Sequence, residues 1–324
     1  MNIGIFGVTG LVGKEFIKLL EKNHLNVDFK NLRLFASESS IGKVVNFREY
    51  DLIVEPYNND IYSQLDVVIL CTSSKVSRNI VENAKKYNCI IIDNSSEFRF
   101  DDNVPLIVPE INGDLIKNNK LIANPNCCTA LLTLALYPLH KFYKINRVIV
   151  STYQSASGAG QQGLDELILN PDDKYPIFGR QYLYNVFSHN TKIDTETLYN
   201  DEEMKIVMET KKILDKDIKI SATCVRVPVI RAHSESVNIE FNNEVDLDKI
   251  RELLNNQDGI IIEDDITNGE FPEPIKAENK YDIMVGRIRY DLSDSTKRSI
   301  NLFLCGDQLL KGAALNAYQI LSNL

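Results

Sequence analysis

A strand that runs directly into a glycine triplet and then into a helix leaves a chain few folds. Asn2–Phe6 alternates as a strand, and Gly7-Val8-Thr9-Gly10-Leu11-Val12-Gly13 follows at once. Residues 11–20 then place Leu11, Val12, Phe16, Leu19 and Leu20 on one helical face. Glycine at such a turn permits positive φ and lets the backbone approach a pyrophosphate, which sits at the positive end of the helix. The GxxGxxG spacing is a variant of the GxGxxG fingerprint. In this setting it predicts a dinucleotide site over Gly7, Thr9, Gly10, Leu11, Val12 and Gly13.

The same alternation continues through the first third. Residues 32–36, 67–71, 89–93 and 121–123 read as strands, and residues 76–87 and 127–140 as helices. Strands alternating with helices predict an α/β, doubly wound parallel sheet. Further on, residues 147–155, Lys219–Arg226, residues 236–241 and Ile283–Tyr290 are strand-like. A polar, aromatic-dotted stretch (171–201) and an amphipathic helix (202–214) lie among them. That pattern predicts an α+β domain with a mixed or antiparallel sheet. A last helix, 312–324, aligns Ala313, Ala314, Ala317, Ile320 and Leu321. No repeat, low-complexity tract or flexible linker interrupts the chain.

Length and composition narrow the function. The 324 residues suit two domains, and 44% hydrophobic content is enough for a sizeable core. Lys and Arg number 36 against 45 Asp and Glu, a formal charge of −9. That argues against a nucleic-acid binder, which needs clustered positive charge, while a small anionic substrate needs only one or two arginines. The N-terminus lacks the basic and long apolar regions of a secretory signal. The most apolar helical stretch, 130–139, falls far short of the ~20 residues that cross a bilayer. We therefore expect a cytoplasmic protein with free thiols and neither membrane nor nucleic-acid partners. Nothing pairs a cysteine with a second cysteine or histidine at ligand spacing, so no metal is expected.

Two residues carry reactive chemistry. Asn124-Pro125-Asn126-Cys127-Cys128-Thr129 places Cys127 behind a Pro/Asn turn at a helix start, where the partial positive charge favours a thiolate. Cys71, Cys89, Cys224 and Cys305 read as inert buried thiols. His233 stands downstream in Arg226-Val227-Pro228-Val229-Ile230-Arg231-Ala232-His233-Ser234-Glu235-Ser236. A cysteine, a histidine and a dinucleotide loop together describe covalent aldehyde or acyl-phosphate chemistry. His24, His140 and His189 sit in polar or helix-end contexts and read as bystanders.

With these residues the chain resembles the aspartate-β-semialdehyde dehydrogenases over essentially its whole length. The resemblance is carried by the glycine loop, Asp93-Asn94-Ser95-Ser96-Glu97-Phe98-Arg99, Val108-Pro109-Glu110-Ile111-Asn112 and the Asn124–Thr129 motif. It continues through Thr152-Tyr153-Gln154-Ser155-Ala156-Ser157-Gly158-Ala159-Gly160, Glu202-Glu203-Met204-Lys205, the 226–236 segment and Gly306-Asp307-Gln308-Leu309. It implies NADPH-dependent reduction of β-aspartyl phosphate to aspartate semialdehyde with release of phosphate, in lysine, threonine and methionine biosynthesis. It further implies Cys127 as nucleophile, His233 as acid/base, Gln154 orienting the intermediate, and Asn126 in the catalytic set. Arg226 matches the residue for the substrate α-carboxylate and Glu202 that for its amino group. Arg99 and Lys205 match the phosphate pair. Gly158 and Gln308 fall among the implied cofactor contacts, and Cys128 reads as a small packing residue.

The implied architecture is a Rossmann-like dinucleotide domain, 1–129 plus 304–324, and a catalytic and dimerisation domain, 130–303, in a homodimer or dimer of dimers. The nearest alternative is N-acetyl-γ-glutamyl-phosphate reductase; the Glu202/Lys205 pair favours a free ammonium and hence the aspartyl enzyme. One departure concerns the cofactor. Relatives commonly carry a Ser-x-Arg-Ser turn after the second strand, whose arginine grips the NADP 2′-phosphate. Here Ser37-Glu38-Ser39-Ser40 puts a serine at that position and an acid before it, with Lys43 beyond. NADP stays usable through Ser37, Ser39 and Ser40, with NAD also accepted.

Overall fold

The alternation of apolar runs and amphipathic segments resolves, in the computed structural model, into two compact units. Residues 1–58, 60–169 and 175–324 are described. One unit is Met1–Pro125 together with Ala313–Leu324, and the other is Asn126–Gly312.

The first unit holds β1 (Asn2–Phe6), β2 (Asn31–Phe35), β3 (Val44–Phe47), β4 (Tyr50–Glu55), β5 (Val67–Leu70), β6 (Ile90–Asp93) and β7 (Leu121–Ala123). Helices α1 (Leu11–Lys22), α2 (Ser74–Ala84) and the short α3 (Pro109–Asn112) connect them. The strand order is β3-β4-β2-β1-β5-β6-β7. All neighbours pair in parallel except β3 with β4, an antiparallel hairpin that the sequence pattern did not reveal. All four residues of β5 are buried, as a strand covered on both faces requires. β1 has β2 on one side and β5 on the other, so the winding reverses at its carboxyl end, where such sheets bind ligands. The glycine turn sits there.

The second unit contains α4 (Cys127–Tyr143), β8 (Ile145–Gln154), α5 (Gly160–Ile168), β9 (Phe187–Ser188), α6 (Asp201–Ile213), β10 (Lys219–Arg226) and β11 (His233–Phe241). It continues with α7 (Leu247–Asn255), β12 (Ile260–Ile262), α8 (Pro274–Ala277), β13 (Ile283–Tyr290) and β14 (Ser299–Gly306). Its sheet runs β12-β13-β14-β11-β8-β10-β9. β8 pairs in parallel with β10 and antiparallel with β11, which makes the sheet mixed, as the sequence predicts. Along β8, Val148, Val150, Thr152 and Gln154 are buried, while Ile149 and Tyr153 are exposed on the other face. The inward residues meet α4, whose Leu131, Leu132 and Leu136 join Val237, Ile239 and Leu302 in one core. Of the stretch at 171–201, residues 171–174 lie outside the described residues. From Tyr175 onward it packs Phe178, Tyr182 and Phe187 into an aromatic cluster with Ala156 and Leu167.

The chain returns to the first unit as α9 (Leu315–Ser322). Residues 310–314 form a wider π turn, so the regular helix starts later than residue 312. Asn316 Nδ2 donates to Asn124 Oδ1 at 2.6 Å and to the Ile107 carbonyl at 2.8 Å. Tyr318 donates to Asn23 Oδ1 at 2.9 Å. The compact units divide at Pro125 and Gly312, where the sequence boundaries were 129 and 304. Cys127–Thr129 open α4, and residues after 304 complete β14, which pairs with β11 and β13 in the second sheet. Among the described residues, no helix is long and apolar enough to cross a membrane.

Candidate active site

The first unit offers a site made mostly of backbone. Gly7 has φ +86, and a Cβ there would strike the Cys71 carbonyl. A Cβ on Gly13 would lie 2.5 Å from the Gly7 carbonyl oxygen and 2.7 Å from Val8 Cα, so only glycine lets α1 pack this close. Gly10 is different: a Cβ there would meet nothing closer than the Gly7 oxygen at 3.4 Å. It caps α1 without a side chain, which leaves the first-turn N–H groups of Leu11, Val12 and Gly13 open to an anion. A cleft of about 650 Å³ opens beside it, lined by Gly7, Thr9, Phe35, Ser37, Glu38 and Thr72 among others. Turn, open helix end and cleft fit a dinucleotide. Ser37 and Ser39 face each other at 3.1 Å and are exposed, whereas Ser40 is buried and receives Lys43 Nζ at 3.2 Å. Arg99 also belongs to this unit, buried with its Nη2 on the Asn94 carbonyl at 2.8 Å.

In the second unit the start of α4 is built around Asn126. Its Oδ1 accepts from the Cys128 N–H at 2.9 Å and the Thr129 N–H at 3.3 Å, a side-chain cap that fixes Cys127 as the first helical residue. Gly312 packs on the nucleophile's backbone: a Cβ there would lie 2.8 Å from Cys127 Cβ. The Cys127 thiol is half-buried, and its pKa lies well below that of an ordinary cysteine. A hydrogen bond from the Cys128 thiol is the main cause, opposed by burial and assisted by His233. Cys128, fully buried, is pushed the other way.

Sheet register supplies the rest. Arg226 on β10 stands opposite Gln154 on β8. On β11, Ser234 pairs with Tyr153, and His233, one residue earlier, pairs with Gly306 of β14. The inward-facing row is therefore Arg226, Gln154, His233, all buried. β11 begins three residues before the strand that the sequence pattern marks, and this lifts His233 from a loop into the row. His233 Nδ1 receives the Ser155 N–H at 3.0 Å, and the Ser155 hydroxyl lies 3.1 Å away. The amide demands a lone pair on Nδ1, so the neutral ring carries its proton on Nε2; the hydroxyl can accept when the ring takes up a second. Nε2 has no partner among the described residues. Gly158 keeps its surroundings open, since a Cβ there would lie 3.1 Å from Nε2 and 3.2 Å from Arg226 Nη1. The Cys127 and Cys128 sulfurs and a His233 ring nitrogen come within 4.8 Å of one another, a cluster that spacing did not foretell. With Nδ1 taken by Ser155, the neutral imidazole has no spare lone pair for a metal.

Glu202 ties the site together. It sits on α6, which Asn200 and Glu203 open with a reciprocal capping box. Its Oε1 accepts from Asn126 Nδ2 at 2.8 Å and Gln154 Nε2 at 3.1 Å, and its Oε2 from Lys205 Nζ at 3.1 Å. Burial alone would raise its pKa, but Lys205, His189 and these hydrogen bonds hold it well below the usual carboxylate range. Arg226 Nη1 donates to the Ser155 carbonyl at 3.1 Å and the guanidinium lies over Phe178, while its buried Nε has no partner among the described residues. That is an unused donor on the group matched to a carboxylate.

The fold thus gathers Asn126, Cys127, Gln154, Gly158, Glu202, Lys205, Arg226 and His233 in one unit, and the glycine turn with Arg99 in the other. Gln308, expected at the cofactor, is buried; it accepts from the Ala232 N–H at 2.8 Å and donates to Ser157 at 2.6 Å, bracing the approach to His233. Sequence reasoning missed Ser155 and Gly312, whose contacts are long-range. It also passed over Glu209, which takes the Asn126 N–H at 2.6 Å, and dismissed His189. That residue is buried, and burial followed by Arg226 lowers its pKa to about 3.

Comparison with known proteins agrees with this layout. The semialdehyde dehydrogenase NAD binding domain matches residues 2–119, and the semialdehyde dehydrogenase dimerisation domain matches residues 136–311. The chain is 43% identical to the aspartate-semialdehyde dehydrogenase of Prochlorococcus marinus, covering 99% of this chain and 94% of that one. It is 38% identical to that of Bacillus subtilis, covering 100% and 97%. The crystal structure of aspartate semialdehyde dehydrogenase II from Vibrio cholerae complexed with ASA superposes with a TM-score of 0.93 at 34% identity, covering 100% and 97%. These full-length matches favour the aspartyl reading over the N-acetyl-γ-glutamyl one. The chain belongs to the aspartate-semialdehyde dehydrogenase family.

Proposed function

We propose that the chain reduces β-aspartyl phosphate to aspartate semialdehyde with NADPH, reversibly, through a thioester on Cys127. The lowered Cys127 thiol at the start of α4, beside the buried row of His233, Gln154 and Arg226, carries this reading. The thiolate attacks the acyl carbon; a C–S bond forms, the C–O bond to phosphate breaks, and phosphate leaves with the electron pair. The Gly7–Gly13 turn and the α1 N-terminus would hold NADPH, which would supply the hydride. His233 Nε2 moves a proton on and off the oxygen of the resulting hemithioacetal; as the proton leaves, the C=O bond forms, the C–S bond breaks, and the aldehyde departs with the electron pair returned to the Cys127 thiolate. Gln154 and Asn126, held by Glu202, orient the intermediate. Arg226 receives the α-carboxylate, for which a planar fork suits best. Glu202 faces the α-amino group, Lys205 is matched to the phosphate, and so, in the first unit, is Arg99.

The first unit serves as dinucleotide domain. The second is catalytic and pairs with another copy into a homodimer, or a dimer of dimers, through its bare sheet face. Ile149, Tyr153 and Phe303 lie there, opposite the face covered by α4. We place the enzyme in the cytoplasm, in the route to lysine (through diaminopimelate), threonine and methionine. With Glu38 beside Ser39, NADP preference over NAD is weakened: losing a charge-assisted arginine contact removes about 1.5–3 kcal/mol, and a carboxylate suits the ribose hydroxyls of NAD.

Phosphate-dependent oxidation of aspartate semialdehyde, followed by nicotinamide absorbance with each cofactor, tests both claims. Oxidation that ignores phosphate would overturn the acyl-phosphate reading. The NADP:NAD ratio of kcat/KM is expected below about a thousand-fold, ~4 kcal/mol. A larger ratio means that the serines and Lys43 fully replace the arginine.

A further inference from the structure

Two side-chain amides converge on one oxygen of Glu202, and each has its other end held. Asn126 Nδ2 and Gln154 Nε2 both donate to Glu202 Oε1, at 2.8 and 3.1 Å. The far end of Asn126 is fixed by the α4 N–H groups that its Oδ1 accepts. The far end of Gln154 is held by a residue that the proposed chemistry leaves unused. Thr152 stands two residues earlier on β8, on the same inward face. It is fully buried, with Cys224 of β10 on one side and Glu235 of β11 on the other. Its hydroxyl donates to Gln154 Oε1 at 3.0 Å. Chemistry fixes the direction of that bond. The Glu202 carboxylate already takes Lys205 on its second oxygen, and an ionised carboxylate only accepts. The amide nitrogen therefore faces Glu202, the amide oxygen faces Thr152, and that oxygen can receive only a hydroxyl proton. The Gln154 main chain is pinned as well: its carbonyl receives the Tyr182 hydroxyl at 3.3 Å and the Val227 N–H at 3.1 Å.

We propose that Thr152 is a positioning residue for the reaction: clamped between the Thr152 hydroxyl and Glu202, the Gln154 amide holds its second N–H toward the oxygen of the acyl intermediate. Gln154 lies between Arg226 and His233 in the inward row, so a donor fixed there faces the reacting group. An amide anchored at one end swings about its last side-chain bond, where the torsional wells are broad. Anchored at both ends, it has one plane. A donor stabilises developing charge without reorganisation only when it is already aimed. The hydroxyl thus acts on rate through Gln154, with no contact of its own to substrate or cofactor. This inference rests on the thioester reading and adds what sets Gln154.

Steady-state kinetics of phosphate-dependent aspartate semialdehyde oxidation, with thermal unfolding of each protein, test it. Thr152→Val keeps the shape of the side chain and removes the hydroxyl. Its kcat is expected to fall about tenfold, less than the about 10²- to 10³-fold of deleting an aimed donor outright, while KM stays within about twofold. Thr152→Ser returns the hydroxyl and is expected within about threefold of wild-type kcat. In a Gln154→Ala background, where the amide is gone, Thr152→Val is expected to change kcat by less than about twofold. A merely structural role would persist in that background and would show as lowered thermal stability in both. A valine protein with unmoved kcat, a serine protein as slow as valine, or a full tenfold loss on top of Gln154→Ala each overturns the proposal. Should the valine protein fail to fold, Thr152→Ala replaces it in the same comparison. Wild-type protein that does not oxidise aspartate semialdehyde overturns the thioester reading and the clamp with it. Wild-type turnover with an unmoved valine protein overturns the clamp alone.

Discussion

Helix α1 is capped by a glycine, Gly10, and α4 by an asparagine, Asn126. Both helices follow a strand of the first sheet in sequence, and both present a positive end. The glycine cap spends nothing on its own first turn, so those N–H groups await an anion from outside. The asparagine cap satisfies the Cys128 and Thr129 N–H groups from within, so what α4 offers is its field, applied to one sulfur. The contrast teaches that a helix N-terminus becomes a binding site or a nucleophile's support according to the cap.

The strongest way to separate the two ends is Cys127→Ala. Turnover should fall by on the order of 10⁴-fold or more, while dinucleotide affinity, measured by fluorescence titration, stays within about twofold. Loss of binding as well would mean the ends are not independent. Cys128→Ser should keep most activity, because a hydroxyl still donates to the neighbouring sulfur. Next in size, Arg226→Lys should raise the KM for aspartate semialdehyde by about ten- to a hundred-fold, since an ammonium lacks the planar fork. An unchanged KM would count against carboxylate binding there.

A site made of titratable side chains carries an acid liability that a glycine turn does not. The folded protein refuses His189 a proton until about pH 3, whereas the unfolded chain accepts one near 6.5. Stability is therefore full above about pH 6.5 and declines as pH falls toward 3. Relative to wild type, His189→Asn should recover about 3 kcal/mol of unfolding free energy on going from pH 7 to pH 4.5, read from urea titrations at the two pH values. A constant difference between the proteins would place the imidazole in solvent. Smallest of all, Gly10→Ser gives α1 the kind of cap that α4 has. Its Cβ fits, so stability should rise by a few tenths of a kcal/mol. The new hydroxyl competes for the open N–H groups, and dinucleotide affinity should drop about tenfold. Unchanged affinity would show that those amides do not hold the pyrophosphate.

Both helix starts were legible in the sequence, as a glycine turn and a Pro/Asn turn, because such signals are local: Gly10 and Asn126 lie within three residues of the groups they govern. Parallel strands such as Val67–Leu70 were legible as unbroken apolar runs. The Val44–Glu55 hairpin was not, since its strands face water on one side and carry Asn46 and Asp51 among the apolar residues. Strand β11 was read from residue 236 because His233, Ser234 and Glu235 look like a polar loop. They are buried by β8 and β14, partners some eighty residues before and seventy after. For the same reason Ser155 behind His233 and the burial of His189 lay beyond any local pattern. Sheet register decides them, and register is a long-range property.

That register also governs which genetic changes such a chain can survive. Gln154 and Tyr153, or Glu235 and Ser236, are adjacent in sequence yet lie on opposite faces of the sheet. Losing one codon within β8, β10 or β11 would flip every later side chain of that strand through the sheet. In β10 the deletion would put Val225 or Val227 where Arg226 now stands. Lineages of this enzyme can therefore exchange residues in these strands one at a time, whereas a one-residue change of length displaces the site unless an irregularity such as that at Glu240/Phe241 of β11 absorbs it. Gains and losses of sequence should accumulate in the connections, and drift toward new substrates must proceed by substitution at fixed addresses.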